Sequence, residues 1–118
     1  MTPTRAERRA ARAQVAGYHE AELARLLAHV EAAITSMRRG EMDVFEVDDV
    51  VHHYERAKRE LWKFCWLGHP EAAARGIAVL AADHREVDWW SEGSTARERA
   101  QGKAPKSESS AAGDPNDP

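Results

Sequence analysis

Apolar residues recur at Leu23, Leu27, Val30, Ile34 and Met37, spaced by four and three, with small and charged residues between them. That spacing lays one stripe along an α-helix, and Leu26 widens it toward the face of a globular helix. Thr4-Arg5-Ala6-Glu7 reads as a capping box for the start of this helix, with Thr2-Pro3 as the other candidate. Gly40 ends it as a left-handed cap just after Arg38 and Arg39, whose charges suit the negative end of the helix dipole.

A second stripe follows at Val47, Val50, Val51, Tyr54, Leu61 and Cys65. Asp43 and Glu46 form its capping box, and Met42 can staple onto Val47. Acidic residues open this helix (Asp43, Glu46, Asp48, Asp49), basic ones gather toward its end (Arg56, Lys58, Arg59, Lys63), and Gly68 closes it. A shorter third helix starts at Pro70 and carries Ile77, Leu80, His84 and Val87, with Ala73 and Ala81 beside them. Gly76 weakens it by about 1 kcal/mol relative to alanine, and it is expected to end between Trp90 and Gly93.

From Ser94 the chain lacks Ile, Leu, Val, Phe, Tyr and Trp, so it cannot bury enough apolar surface to offset its ordering entropy. The expected fold is all-α: an antiparallel helical hairpin, a shorter third helix and a disordered C-terminal tail. Residues 1–14 form a basic N-terminal arm or helix extension, 15–93 the helical domain and 94–118 the tail. Read as one helix, residues 4–39 span about 54 Å against about 37 Å for residues 43–67. The first helix therefore overhangs its partner. Either helix three or a second subunit covers the overhang, or Gly17 breaks the helix and leaves an arm.

The net charge of −3 on 118 residues is too near neutral to imply a nucleic-acid or membrane partner for the whole chain. One cysteine, Cys65, excludes an intrachain disulfide and fits a reducing compartment. No apolar run follows the N-terminal charges as in a signal peptide, and no window approaches a membrane span. The expected location is the cytoplasm, with no membrane partner and no cofactor.

In antiparallel helices joined at residues 40–42, positions summing to about 83 lie level. His19 then falls near Phe64 and Cys65, and Val30 near His53 and Tyr54. A histidine beside a cysteine suggests a thiolate nucleophile or half a metal site. No third group is evident to orient the imidazole, so a core-edge histidine beside an inert thiol is the better reading. His53, Asp49 and Glu46 share a flank with His29 opposite, and Asp49-x-x-His52 partly matches a carboxylate–histidine bundle site. Solvated Asp–His pairs on a helix account for the same residues, and no metal ligand is assigned.

Arg5, Arg8, Arg9 and Arg12 make a short basic stretch that suits phosphates but lacks aromatic residues for base stacking. A solvated helix end is favoured, with nucleic-acid binding the alternative. Four tryptophans are many for about 90 folding residues. Trp62 and Trp66 sit off the central stripe of helix two, and Trp89 lies outside that of helix three. Tyr54, Trp62, Trp66 and Trp89 are the candidate interaction residues. The competing reading packs Trp62 and Trp66 internally, in the groove that receives helix three.

The run RGEMDVFEVDDVVHHYERAKRELWKFC resembles short uncharacterised helical proteins of high-GC actinobacteria, across roughly residues 15–67. The resemblance implies no activity, cofactor or functional residue. A chain this small, with few convergent polar groups, gives no basis for an enzyme pocket. The expected function is therefore a non-enzymatic protein-interaction or regulatory module that forms a homodimer or binds another protein. A nucleic-acid accessory role, or a His/Asp/Cys metal or thiol site, are the alternatives.

Overall fold

The computed structural model describes residues 2–102. Among the described residues five helices follow one another: α1 (Arg5–Arg38), α2 (Val44–Trp66), α3 (Pro70–Ala82), α4 (Trp89–Glu92) and α5 (Ala96–Ala100). No strand occurs among the described residues, and the protein is all-α.

Helix α1 is capped reciprocally. The Glu7 N–H donates to the Thr4 hydroxyl at 3.0 Å, and the Thr4 N–H to the Glu7 carboxylate at 2.8 Å. The helix continues unbroken through Gly17, so the anticipated overhang is helical. Helix α3 packs along α1, where Ala11 and Val15 are buried, and this burial offsets the weak helix propensity of one glycine. Residues 5–14 are therefore helix extension, not a separate arm. At the far end Gly40 adopts φ +79, the Gly40 N–H reaches the Met37 carbonyl and the Glu41 N–H reaches that of Ser36. These bonds satisfy carbonyls the helix end would orphan and turn the chain back.

Helix α2 starts on the Asp43–Glu46 capping box, both bonds 2.8 Å long, and runs antiparallel beside α1. Its inner line is Val47, Val50, His53, Ala57, Leu61 and Cys65. Helix α3 ends at Ala82, about two turns before the expected position. His84 is not part of its stripe: it is exposed with φ +53 and serves as the left-handed cap itself. The Arg85 N–H bonds the Leu80 carbonyl across it at 2.9 Å. Four polar residues in a row, Asp83 to Glu86, give a helix no apolar face to bury.

Asp88 then caps α4, accepting from the Ser91 N–H at 3.3 Å. The disordered tail expected from Ser94 is corrected in part. Thr95 and Glu98 form a third capping box that starts α5. Local hydrogen bonding and ties to α2 order a segment that has no large apolar side chain. The remainder of that expectation, residues 103–118, lies outside the described residues.

Helices α3 and α4 cover one face of the hairpin. Phe64 of α2 contacts both: its ring is 5.3 Å from Trp89, and a Cβ on Gly76 would lie 3.5 Å from it. The opposite face carries no further helix among the described residues.

Candidate functional site

The covered face is built around Trp90. Successive helical positions step by 100°, so Tyr18, Glu22 and His29 occupy one shoulder of α1, and His53, Ala57 and Phe64 the matching shoulder of α2. Trp90 inserts between these shoulders. Its indole stacks on His29 at 4.0 Å and 9°, and on His53 at 4.2 Å and 38°. His53 is 0% exposed. Its Nε2 lies 2.7 Å from the Trp90 carbonyl. A carbonyl only accepts, so Nε2 carries the proton and Nδ1 is left as an acceptor. Arg56 Nη2 approaches Nδ1 at 3.4 Å, a long bond, while Arg56 Nε donates to the Gly93 carbonyl at 2.8 Å. The Glu98 carboxylate lies 3.7 Å from His53 Nδ1 and 3.6 Å from Arg56.

Burial lowers the pKa of His53, and the neighbouring Arg56 and His29 act in the same direction. The bond to the Trp90 carbonyl and the Glu98 charge oppose them, without reversing the outcome. Gly93 permits the close approach: a Cβ there would sit 2.5 Å from the Ala57 backbone nitrogen. The indole N–H of Trp90 is buried without a hydrogen-bond partner among the described residues. Such a group costs about 1–3 kcal/mol.

Beside this lies an aromatic cluster. Trp89 donates its indole N–H to the Tyr18 hydroxyl at 2.9 Å, and Phe64 meets both rings. Cys65 is 1% exposed, and burial pushes its thiol up to about 11. A group so protonated is a poor nucleophile. Arg25 spans from Glu22, at 3.7 Å, to Glu86, at 3.3 Å, across a groove of about 470 Å³ between α1 and the α3–α4 connection. Burial raises the pKa of Glu22, and the nearby Glu86 adds to the effect.

The open face presents the other two shoulders. Leu27 and Trp62 are each 47% exposed and Val44 is 61% exposed. Leu23, Val30, Ile34, Tyr54 and Trp66 are half-buried against the core. A depression of about 400 Å³ is lined by Ala16, His19, Glu20, Leu23, Ala24, Leu27 and Trp66. Trp66 donates its indole N–H to His19 Nδ1 at 2.9 Å, which fixes that ring at the edge of the depression.

The candidate residues therefore separate. Trp62 is 47% exposed, so internal packing does not hold for that ring, whereas Trp66 is half-buried against the core with its indole on His19, and Tyr54 is half-buried. Trp89 is corrected: at 8% exposure it is a core residue and offers no indole to a partner. His19 bonds Trp66, so it does not make a pair with the Cys65 thiol. Asp49 is exposed while His53 is buried, and Trp90 stands between His53 and His29. Among the described residues no three His, Cys, Asp or Glu side chains converge as metal ligands. Arg5, Arg9 and Arg12 are exposed along one flank of α1, and Arg8 donates back to the Pro3 carbonyl at 2.7 Å.

The Trp90–Gly93–Glu98 lock is not evident in the helical periodicity of the chain. The only available signal was an adjacent Trp pair lying off the stripe of helix three. No family model matches the chain, and no curated protein or solved structure matches it. No described helix is long and apolar enough to cross a membrane.

Proposed function

We propose that this protein is a helical interaction module that pairs with a second copy of itself through the open face of the hairpin. The observation carrying this reading is the exposure of Leu27 and Trp62, with Leu27 sharing one depression with the half-buried Leu23 and Trp66. Apolar surface gathered in this way marks a contact, whereas scattered exposed residues do not. A two-fold axis also suits α1. Pairing two antiparallel α1 helices about the centre of the depression sets Leu27 opposite Ala16 of the partner subunit. The same register sets Arg12 opposite Glu31 of the partner subunit. One self-complementary patch thus supplies both knob and hole, as an isologous interface requires.

Light scattering coupled to size exclusion tests this. A dimer is expected at micromolar concentration, and Leu27→Glu should give a monomer with unchanged helicity. Arg12→Glu should weaken the dimer and Glu31→Arg in the same chain restore it. A wild-type chain that stays monomeric up to high micromolar concentration overturns the reading.

A further inference from the structure

We propose that residues 88–100 form a clasp that neutral His53 holds closed on the covered face of the hairpin and that protonation releases. Every polar tie between this segment and α2 converges within one helical turn: His53 Nε2 to the Trp90 carbonyl, Arg56 Nε to the Gly93 carbonyl, and Arg56 Nη2 to Glu98. Apart from the Trp89–Tyr18 bond, the rest of its attachment is apolar: Trp89 buried against Phe64, the ring contacts of Trp90 with His29 and His53, and the backbone contact of Gly93 with Ala57. The clasp is thus a small unit whose polar ties to α2 share a single titratable centre, laid over a capped hairpin that has its own buried line of side chains. Small units of this kind open separately from the fold that carries them.

A second proton on His53 must enter at Nδ1, since Nε2 already holds one. Nδ1 has no route to water, because His53 is wholly buried. Each element packed around it contributes a group. Helix α1 presents His29 across the Trp90 ring, α2 presents the Arg56 guanidinium at 3.4 Å, α4 presents only the Trp90 carbonyl, and α5 presents Glu98 at 3.7 Å. Besides the Trp90 carbonyl, Glu98 alone favours the cation, and Arg56 shares that carboxylate. In the open state the imidazole is hydrated and accepts a proton near its ordinary value of 6.5.

The sign follows. The closed state keeps His53 neutral with a lowered pKa, so the open state binds more protons below about 6.5. Above that pH the clasp holds at full strength. As pH falls from there toward the depressed closed-state value, opening gains up to roughly tenfold per pH unit, the limit for one proton.

Hydrogen–deuterium exchange on the full chain between pH 7.5 and 5, corrected for intrinsic rates, tests this. Amides of residues 88–100 should lose protection below about 6.5 while those of residues 47–61 keep theirs. His53→Gln retains a side-chain N–H for the Trp90 carbonyl and cannot take up a proton, so the pH dependence should vanish. Should that variant fail to fold, Glu98→Gln decides: it keeps the Thr95 cap but removes the one charge that favours the cation in the closed state, so opening below about 6.5 should be greater than in wild type and its midpoint should move to higher pH. Unchanged protection across this range, equal loss in α2, or an unshifted midpoint in Glu98→Gln would each overturn the proposal.

Discussion

Three glycines in this chain predict opposite outcomes for the same substitution. A Cβ on Gly93 would lie 2.5 Å from the Ala57 nitrogen and 2.8 Å from its Cα and Cβ, nearly an ångström short of ordinary contact. All three atoms belong to or sit directly on the α2 backbone, which cannot give way like the end of a flexible side chain. Gly93 has an ordinary φ of −85, so backbone conformation is not the obstacle. The methyl must lift the segment away, and overpacking of this sort costs about 1–3 kcal/mol. The Arg56 bond to the Gly93 carbonyl lengthens as well, worth about 1 kcal/mol for a partly exposed donor. Reduced freedom of the unfolded chain returns about 0.4–1 kcal/mol. The net loss is about 1–3 kcal/mol, and each kilocalorie lowers the melting temperature of a domain this size by roughly 4–8 °C.

Gly17→Ala should do the reverse. Nothing lies within 4 Å of its Cβ position and it stands in mid-helix, so a gain of about 0.5–1 kcal/mol is expected. Gly76→Ala meets the Phe64 ring at 3.5 Å, an ordinary contact, and should also stabilise. Urea titrations followed by far-ultraviolet circular dichroism and tryptophan emission measure all three. A Gly93→Ala chain as stable as wild type, alongside a stabilised Gly17→Ala, would mean that the segment carrying Trp90 does not seat on Ala57 as described.

Cys65, with its thiol pushed up to about 11 from 9.0, should resist alkylation in the folded protein at pH 8, carrying roughly 100-fold less thiolate than an unperturbed cysteine. Labelling as fast as in urea would contradict its burial. Because the unfolded thiol ionises first, stability should fall as pH rises from about 9 to about 11, by about 2–3 kcal/mol. Cys65→Ala should lack that part of the slope. Asp43→Ala removes the side chain that accepts the Glu46 N–H, together with the reciprocal capping geometry at the start of α2, and should cost about 1 kcal/mol in thermal melts. No loss there would mean that the turn is held by the Gly40 cap alone.

The hairpin was legible because its determinants are local. Thr4–Glu7, Asp43–Glu46 and Gly40 each satisfy backbone groups within four residues, and the Leu23–Met37 and Val47–Cys65 stripes repeat at the helical period. Adding the register rule put His19 near Phe64 and Cys65, within a turn of its observed partner Trp66. Periodicity failed at His84, which kept the helical spacing but sits among polar neighbours with nothing to bury against. It failed again beyond Ser94, where α5 is ordered by polar bonds that no hydrophobic count registers.

Chain chemistry alone therefore decided that α1, α2 and α3 are helical, where they begin and how the first two lie against each other, because those choices rest on contacts between near neighbours. Which face of the hairpin is covered was settled only in three dimensions. Trp89 and Trp62 look alike in sequence, each an indole off a stripe, yet one is core and the other surface. Their difference arises from the return of residues 88–100 across α1 and α2, a path set by the fit of Trp90 between His29 and His53 and of Gly93 against Ala57. Contacts between residues some forty to sixty positions apart leave no periodic trace in the chain, and the burial of His53 is their consequence.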